Sequence, residues 1–471
     1  MSLGFCFALD SRKDASLWLG AELATGDFGD ERLNKRATSI LESFCAQPQV
    51  SIPEAAGTWA QTKAVYRFLS NPKVTPEKIL KPHQEASHSR IRANTVVLAV
   101  QDTTALNYTT RPATEGLGAI SQVSSSRGML VHTTIAYSTE RVPLGVIQQA
   151  CWIRPKEEFG KKVKRKQKLI KDKESSKWFN SLEATEAVQH EHPDAIVVNV
   201  GDREADIYDL FKYGTGLKSK LLVRASANRR VEHDEGKLWA HIEAQPVAKS
   251  LVMAVPNKKD KKLREAAVEL RYACVSIRAP GDRWNKEPSV PVYAVYLNEP
   301  DPPQGTEPLS WMLLTTLEVN SAEEAIKIVE YYAVRWSIEV FHRILKSGCR
   351  IEDRQLQTAD RLRNCLALYT LVAWRIQQLT MLGRETPDLP CNLVFEEYEW
   401  KALYCFVHET TEPPAKPPSL GEAVKMVARL GGFLARKSDG YPGATVLWRG
   451  LQRLNTISSS WRLFGPGRQS P

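Results

Sequence analysis

A chain of 471 residues, 42% hydrophobic and 25% charged, is long enough for two to four domains with at least one sizeable core. Its 64 Lys and Arg exceed its 54 Asp and Glu, for a formal charge of +10, which favours a polyanionic partner. Eight scattered cysteines without a C-x-x-C pair, apolar runs no longer than Leu366 to Trp374, and an N-terminus lacking a basic stretch followed by an apolar one set aside zinc-ribbon, membrane-spanning and secreted classes, leaving a cytoplasmic protein with reduced thiols as the expectation.

Residues 1–80 read as helical. Asp30 precedes a helix through Glu31, Leu33, Ile40, Leu41 and Phe44, and a second helix runs from about Gly57 to Leu69 and closes at Asn71-Pro72. Arg32, Lys35, Arg36, Lys63 and Arg67 make this a basic module of a kind that touches DNA, although such residues are also ordinary helix surface. Strand character follows. Thr95 to Asp102 is a continuous apolar run with β-branched residues that ends in an acid, as a buried strand would, and Met129 to Tyr137 and Val142 to Trp152 suggest a meander against it. Arg154 to Lys173 holds ten Lys or Arg, and Lys258 to Arg264 repeats the theme on a smaller scale; each suits a solvated loop or a phosphate clamp. A helix is expected over Ser176 to His190. Ala195 to Asp202 then repeats the apolar run ending in acid, and Leu221 to Arg224 looks like a further strand.

From 226 to 310, short β-like runs (Ser250 to Val255, Ala267 to Ile277, Val290 to Leu297) are separated by Pro, Gly and Lys clusters, as in a β-rich insertion. Trp311 to Thr316 resumes a core strand, and Ser321 with Glu324 forms a capping-box pattern opening one long helix through Lys346. Linkers at Thr386 to Pro390 and Pro413 to Pro418 flank the last part, and Leu420 to Leu454 is helical in pattern with a break at Gly431-Gly432. No repeat, P-loop or dinucleotide fingerprint is present.

Within the 321–346 helix, Tyr332, Arg335, Glu339 and Lys346 stand at offsets 0, 3, 7 and 14, an arc of roughly 60° at about 100° per residue. Val334, Ile338, Phe341 and Leu345 lie opposite, so docking by the apolar side displays a phenol, a guanidinium, a carboxylate and an ammonium. A carboxylate can hold Mg²⁺, Arg grips phosphate in a fork, and Lys adds a point charge. Asp102 and Asp202, each ending a buried-strand pattern, would complete a three-carboxylate cage for a pair of divalent ions that leaves room for a scissile phosphate. The chemistry so implied is in-line phosphoryl transfer on nucleic acid. Asp206 is a competing ligand or a supporting partner; Asp202 is preferred because it directly follows the apolar run. His190-Glu191-His192 lacks the spacing of H-E-x-x-H.

Gln101-Asp102-Thr103-Thr104, Gly201-Asp202-Arg203-Glu204-Ala205-Asp206 and Tyr332-x2-Arg335-x3-Glu339-x6-Lys346 closely resemble bacterial DDE transposases of the insertion-sequence-four family, which includes the transposon-five transposase. Val65-Tyr66-Arg67-Phe68 with Asn71-Pro72, Ser126-Arg127-Gly128, Glu174-Ser175-x-Lys177-Trp178, Val223-Arg224 and Ala428 to Phe433 extend the resemblance over nearly the whole chain. Ser337, Val340, Arg343 and Leu345 depart from that relative's more polar or aromatic helix, so peripheral contacts should differ.

The resemblance implies an α/β protein. Its RNase H-like mixed-sheet catalytic core (81–225 and 311–380) would be interrupted by a β-rich insertion (226–310), between a helical DNA-binding domain (1–80) and a helical dimerisation domain (381–471). It implies cut-and-paste transposition: nicking at a transposon end, hairpin formation and opening, then attack of the 3′-hydroxyl on target DNA. The expected partners are double-stranded DNA, as transposon ends and target, and a second copy of the chain in a synaptic complex, with no membrane; the expected location is the bacterial cytoplasm, on the nucleoid when DNA-bound. Asp102, Asp202 and Glu339 would hold two Mg²⁺, or Mn²⁺ in their place. Tyr332, Arg335 and Lys346 would grip phosphates, Trp311 would accept a flipped base, and Arg224, Arg127, His342 and Arg67 would contact DNA or support residues that do. A catalytically silent DNA-binding derivative and an RNase H-fold nuclease without strand transfer are the alternatives.

Overall fold

The computed structural model describes residues 17–121, 126–155, 174–233, 236–256 and 263–466. Most of the basic run 154–173, and the start of the run 258–264, lie outside the described residues. Among the described residues a mixed sheet of ten strands, numbered β1 to β10 along the sequence, organises the chain in the order β2 (Gly118–Ala119), β3, β1, β5, β6, β10, β9, β8, β7, with β4 on the free side of β3. At its centre β1 (Val96–Asn107) and β5 (Ile196–Gly201) run parallel, Val96 opposite Ile196 and Val100 opposite Val200. Val97 to Val100 and Val197, Val198 and Val200 are inaccessible to solvent, which explains why these strands are apolar throughout instead of alternating.

β3 (Arg127–Tyr137) and β4 (Pro143–Trp152) form the antiparallel meander on one side of β1. On the other side β6 (Lys220–Arg224) runs parallel to β5. The order β4-β3-β1-β5-β6, with its last two strands parallel to β1, is the RNase H-like arrangement. The strands of the 226–310 region, β7 (Lys249–Pro256), β8 (Leu263–Ile277) and β9 (Val290–Asn298), do not make a sheet of their own. β9 pairs with β10 (Ser310–Thr315), which pairs with β6, so the insertion extends the catalytic sheet.

The N-terminal helices start where capping chemistry allows. Asp30, Ser51, Thr58 and Thr75 accept from backbone amides at the starts of Glu31–Ala46, Ile52–Ala56, Trp59–Leu69 and Pro76–Arg92. The helix expected from Gly57 therefore begins at Trp59, because Gly57 (φ +77°) closes the short helix before it. This module packs on the long, largely buried helix Ala359–Glu385: Phe44 stacks on Tyr369 with centroids 4.6 Å apart, and Asn364 donates to the carbonyls of Leu69 and Val74. Residues 80 and 380, the boundaries suggested above, fall inside the single helices Pro76–Arg92 and Ala359–Glu385. The tail forms Glu397–His408, Leu420–Leu430 and Ala444–Phe464. The last two cross closely enough that a Cβ on Gly450 would sit 1.9 Å from the Val427 carbonyl oxygen.

The helix expected as one piece over 321–346 is divided. Ala322–Ala333, capped by Ser321, is followed by a tightened turn in which Val334, Arg335, Ser337 and Ile338 bond three residues back. Trp336–Arg343 then loosens into a π-helical turn, Ile344–Gly348, closed by Cys349 N donating to Ile344 O. No Pro or Gly marks the first break. Packing sets it: Tyr332 sinks into the core at 4% exposure, whereas the 60° arc would have placed it with the displayed groups.

Candidate active site

β1 and β5 pair in constant register from Val96–Ile196 to Val100–Val200, so Asp102 and Asp202 each stand two residues beyond the last paired positions, at the same end of neighbouring strands. β5 stops at Gly201, where a Cβ would lie 2.6 Å from that of Ala205, so only glycine permits this tight exit. Asp202 then caps the single turn Arg203–Ala205, its Oδ1 accepting from Glu204 N at 2.9 Å. Asp102 stays within β1 opposite Thr133 and accepts from Thr103 N at 2.8 Å. Burial pushes its carboxyl pKa up to about 6; Asp202 and Glu339 push the same way, and the Thr103 amide and Arg335 oppose them. Asp102 therefore senses both other candidate carboxylates.

Glu339 is half-exposed, and its Oε1 accepts from Arg335 Nη2 at 2.5 Å. Tyr332 meets Trp311 edge to face, centroids 5.3 Å apart, and stands within electrostatic range of Arg224. Arg224 ends β6 opposite Leu313 of β10 and donates to Ser310 O at 2.7 Å. Lys346, carried on the π-helical turn, donates to Ala105 O at 2.7 Å, three residues along β1 from Asp102. The structure thus gathers Asp102, Asp202, Glu339, Tyr332, Arg335, Arg224, Trp311 and Lys346 at one end of the parallel strands.

Three candidates stand apart or play another part. His342 is 7% exposed with Nδ1 3.8 Å from Asp102 Oδ2, and burial holds its pKa down to about 3. It is a buried, neutral neighbour of Asp102, and its Nε2 has no partner among the described residues. Arg127 pairs with the far end of the sheet edge and donates to Thr114 O and Pro112 O, bracing a loop. Arg67 is exposed on the N-terminal helix Trp59–Leu69. The His190-Glu191-His192 run is split: His190 bonds Glu186, while His192 and Glu191 both face His88.

Other contributors escape a reading of the sequence. Asp206, the competing ligand, has both carboxylate oxygens engaged by the loop Ser226 to Arg229 and is not free to bind an ion. His132 bonds Thr103 Oγ1 and Gln101 Oε1, each at 2.9 Å, tying β3 to the two residues that flank Asp102. Trp336, 63% exposed beside Arg335, offers a free indole at the site; one more aromatic in an amphipathic helix gave no signal for it.

Among the described residues no group of three or more His, Cys, Asp or Glu is already closed around a single point. Glu339 is turned to Arg335 and Asp202 to its own cap. The donor set is nonetheless all carboxylate, the chemistry that Mg²⁺ and Mn²⁺ prefer, and Asp202 and Glu339 stand close enough to Asp102 to add to the upward push that burial exerts on it. No helix among the described residues is long and apolar enough to cross a membrane.

Three family models match successive parts of the chain: a transposase DNA-binding model over residues 15–74, a transposase DDE domain over 158–375, and a Tn5 transposase dimerisation domain over 371–464. The DDE match includes Asp202 and Glu339 and begins after Asp102. A cryo-EM structure of the piggyBac transposase synaptic complex with hairpin DNA aligns over 96% of this chain and 79% of its own, at 11% identity and a TM-score of 0.33, a likeness too slight to argue from.

Proposed function

Because the chain belongs to the Tn5-like DDE transposases, DNA-binding and dimerising enzymes that cut and join DNA, we propose that it moves a DNA segment by cut-and-paste transposition through a hairpin intermediate. Asp102, Asp202 and Glu339 would hold two Mg²⁺, or Mn²⁺. The ions, when bound, activate water or a 3′-hydroxyl and stabilise the leaving oxygen.

The protein's own groups do the positioning. Arg335, Arg224 and Lys346 present cationic donors on three sides of the carboxylates, a fork and point-charge set suited to a DNA strand's phosphates. Tyr332, within electrostatic range of Arg224, offers a phenol beside that guanidinium and adds no charge. Trp311 at the start of β10 and the exposed Trp336 supply indole faces on which a base displaced from a tight hairpin can stack. The exposed basic residues of the N-terminal helices, Arg67 among them, would hold the transposon end, two copies of the chain would pair two ends in a synaptic complex, and the setting is the bacterial cytoplasm.

The observation that supports this reading most strongly is that Asp102 and Asp202 each stand two residues beyond the last registered pair of β1 and β5, with Glu339 within electrostatic range of Asp102. The test is a Mg²⁺-dependent assay on DNA carrying the element's ends, with nick, hairpin and joined product resolved on one denaturing gel. Asp102→Ala, Asp202→Ala and Glu339→Ala should each abolish nicking and leave end binding largely intact. Retained cleavage in any one removes that residue from the metal site, and nicks without hairpin or joined product favour a nuclease instead.

A further inference from the structure

Asp206 lies four residues beyond Asp202, and its side chain has no exposure to solvent. A buried carboxylate is costly unless its oxygens are fully bonded, and here every bond it accepts comes from the loop that leaves β6. Oδ2 accepts from Ser226 N at 2.8 Å, Ser226 Oγ at 3.1 Å and Ala227 N at 3.1 Å; Oδ1 accepts from Arg229 Nε at 3.0 Å and from Arg229 Nη2. Arg229 Nη2 also donates to the backbone carbonyl of Asp206, and its guanidinium lies 5.9 Å over the Phe211 ring. The loop so held begins two residues after Arg224. The anchor sits on the loop that leaves β5 and carries Asp202. One side chain therefore ties the exits of two neighbouring parallel strands, each of which presents a group to the site.

We propose that Asp206, locked to Arg229, is a positioning residue for phosphoryl transfer: it holds the exit of β6 so that Arg224 stands at a fixed place beside Asp202, and it touches neither ion nor DNA. The proposal rests on the reading of Arg224 as a phosphate contact. Arg224 itself is held by β10, with Leu313 opposite it and Ala225 N donating to Met312 O at 2.8 Å, and the Asp206 pin fixes the chain from the very next residue, Ser226, onward. Asp206→Asn would keep size and one acceptor oxygen but place an NH₂ against donors, leaving Ser226, Ala227 or Arg229 unpaired.

The experiment uses the full-length chain with end DNA, comparing Asp206→Asn and, independently, Arg229→Gln with the parent. Hydrogen exchange reads the Ser226 and Ala227 amides, which should lose protection in Asp206→Asn whether or not DNA is cut. Single-turnover nicking at saturating protein, at a temperature where the variants remain folded, should slow about tenfold or more in both variants while end affinity stays close to the parent; the melting temperature falls in both, because half of a buried pair is left. Combined with Arg224→Ala, Asp206→Asn should add less than about twofold, because its effect passes through Arg224.

Nicking at the parental rate despite lost protection overturns the proposal. So does a loss of end affinity in the folded variants that matches the loss of nicking, which marks general support of the fold, and so does a full multiplicative effect on top of Arg224→Ala. A parent that binds ends but never nicks overturns the catalytic reading and this proposal with it, whereas a nicking parent with unaffected variants overturns this proposal alone.

Discussion

Replacing Asp102 by Asn should make the ion-free protein more stable. Burial, with help from Asp202 and Glu339, raises this carboxyl from 3.8 to about 6 in the folded chain. Between those values the folded state keeps a proton that the unfolded state has released, so stability falls as pH rises from about 4 through 6, and the penalty is complete above that range. A shift of about two units corresponds to about 3 kcal/mol. The side chain is 19% exposed, so solvent screening leaves a recoverable gain of about 1–2 kcal/mol. Asparagine keeps the acceptor for Thr103 N and drops the charge. Thermal and urea unfolding in chelator should then show the variant above the parent near pH 8 and level with it near pH 4, and added Mg²⁺ should stabilise the parent more than the variant. A variant less stable than the parent near pH 8, or a parent insensitive to pH across this range, would refute the reasoning.

Trp311→Ala should impair hairpin formation or opening more than the first nick, read as accumulated nicked product on a denaturing gel; equal loss at every step would assign Trp311 to packing against Tyr332. Phe44→Ala removes a fully buried ring stacked on Tyr369 and should cost about 3–5 kcal/mol, seen as a lower denaturation midpoint with early proteolysis of the N-terminal helices. A cost under about 1 kcal/mol would mean that the module is not held by this contact. Gly450→Ala places a methyl against the Val427 carbonyl and should part the last two helices, lowering both melting temperature and the dimer fraction in light scattering. An unchanged dimer would show that the crossing can open at little cost.

What the sequence disclosed and what it hid have separate physical causes. β1 and β5 were legible because the buried starts of both strands are apolar runs; the acid that follows leaves the sheet only after β5, whereas Asp102 stays inside β1, which continues to Asn107. The N-terminal caps were legible because Asp30 carries its chemistry locally. Pairing partners are not local: nothing in Val290 to Asn298 announces that it will zip onto β10 and carry the insertion into the main sheet. Helical periodicity reports the angle of a side chain and not its depth, so Tyr332 fell on the right arc yet lies beneath Trp311. The tightened and π-helical turns on either side of Glu339 left no mark because they are imposed by what Tyr332 and Gly348 pack against, the latter with room for no Cβ beside the Trp448 ring. Asp206 looked like a spare ligand because its partners stand 20 or more residues further on.

The continuity of the sheet also dictates the order in which the protein can be built. β1 must wait for β5 a hundred residues later, and β6 has no second neighbour until Thr315 has been synthesised. At about 5–20 residues per second, the stretch from Val96 to Thr315 occupies the ribosome for about 10–40 s, during which strands made for burial are without their mates. Such a nascent chain is an obvious client for chaperones, and a larger supply of them during synthesis should raise the yield of folded enzyme.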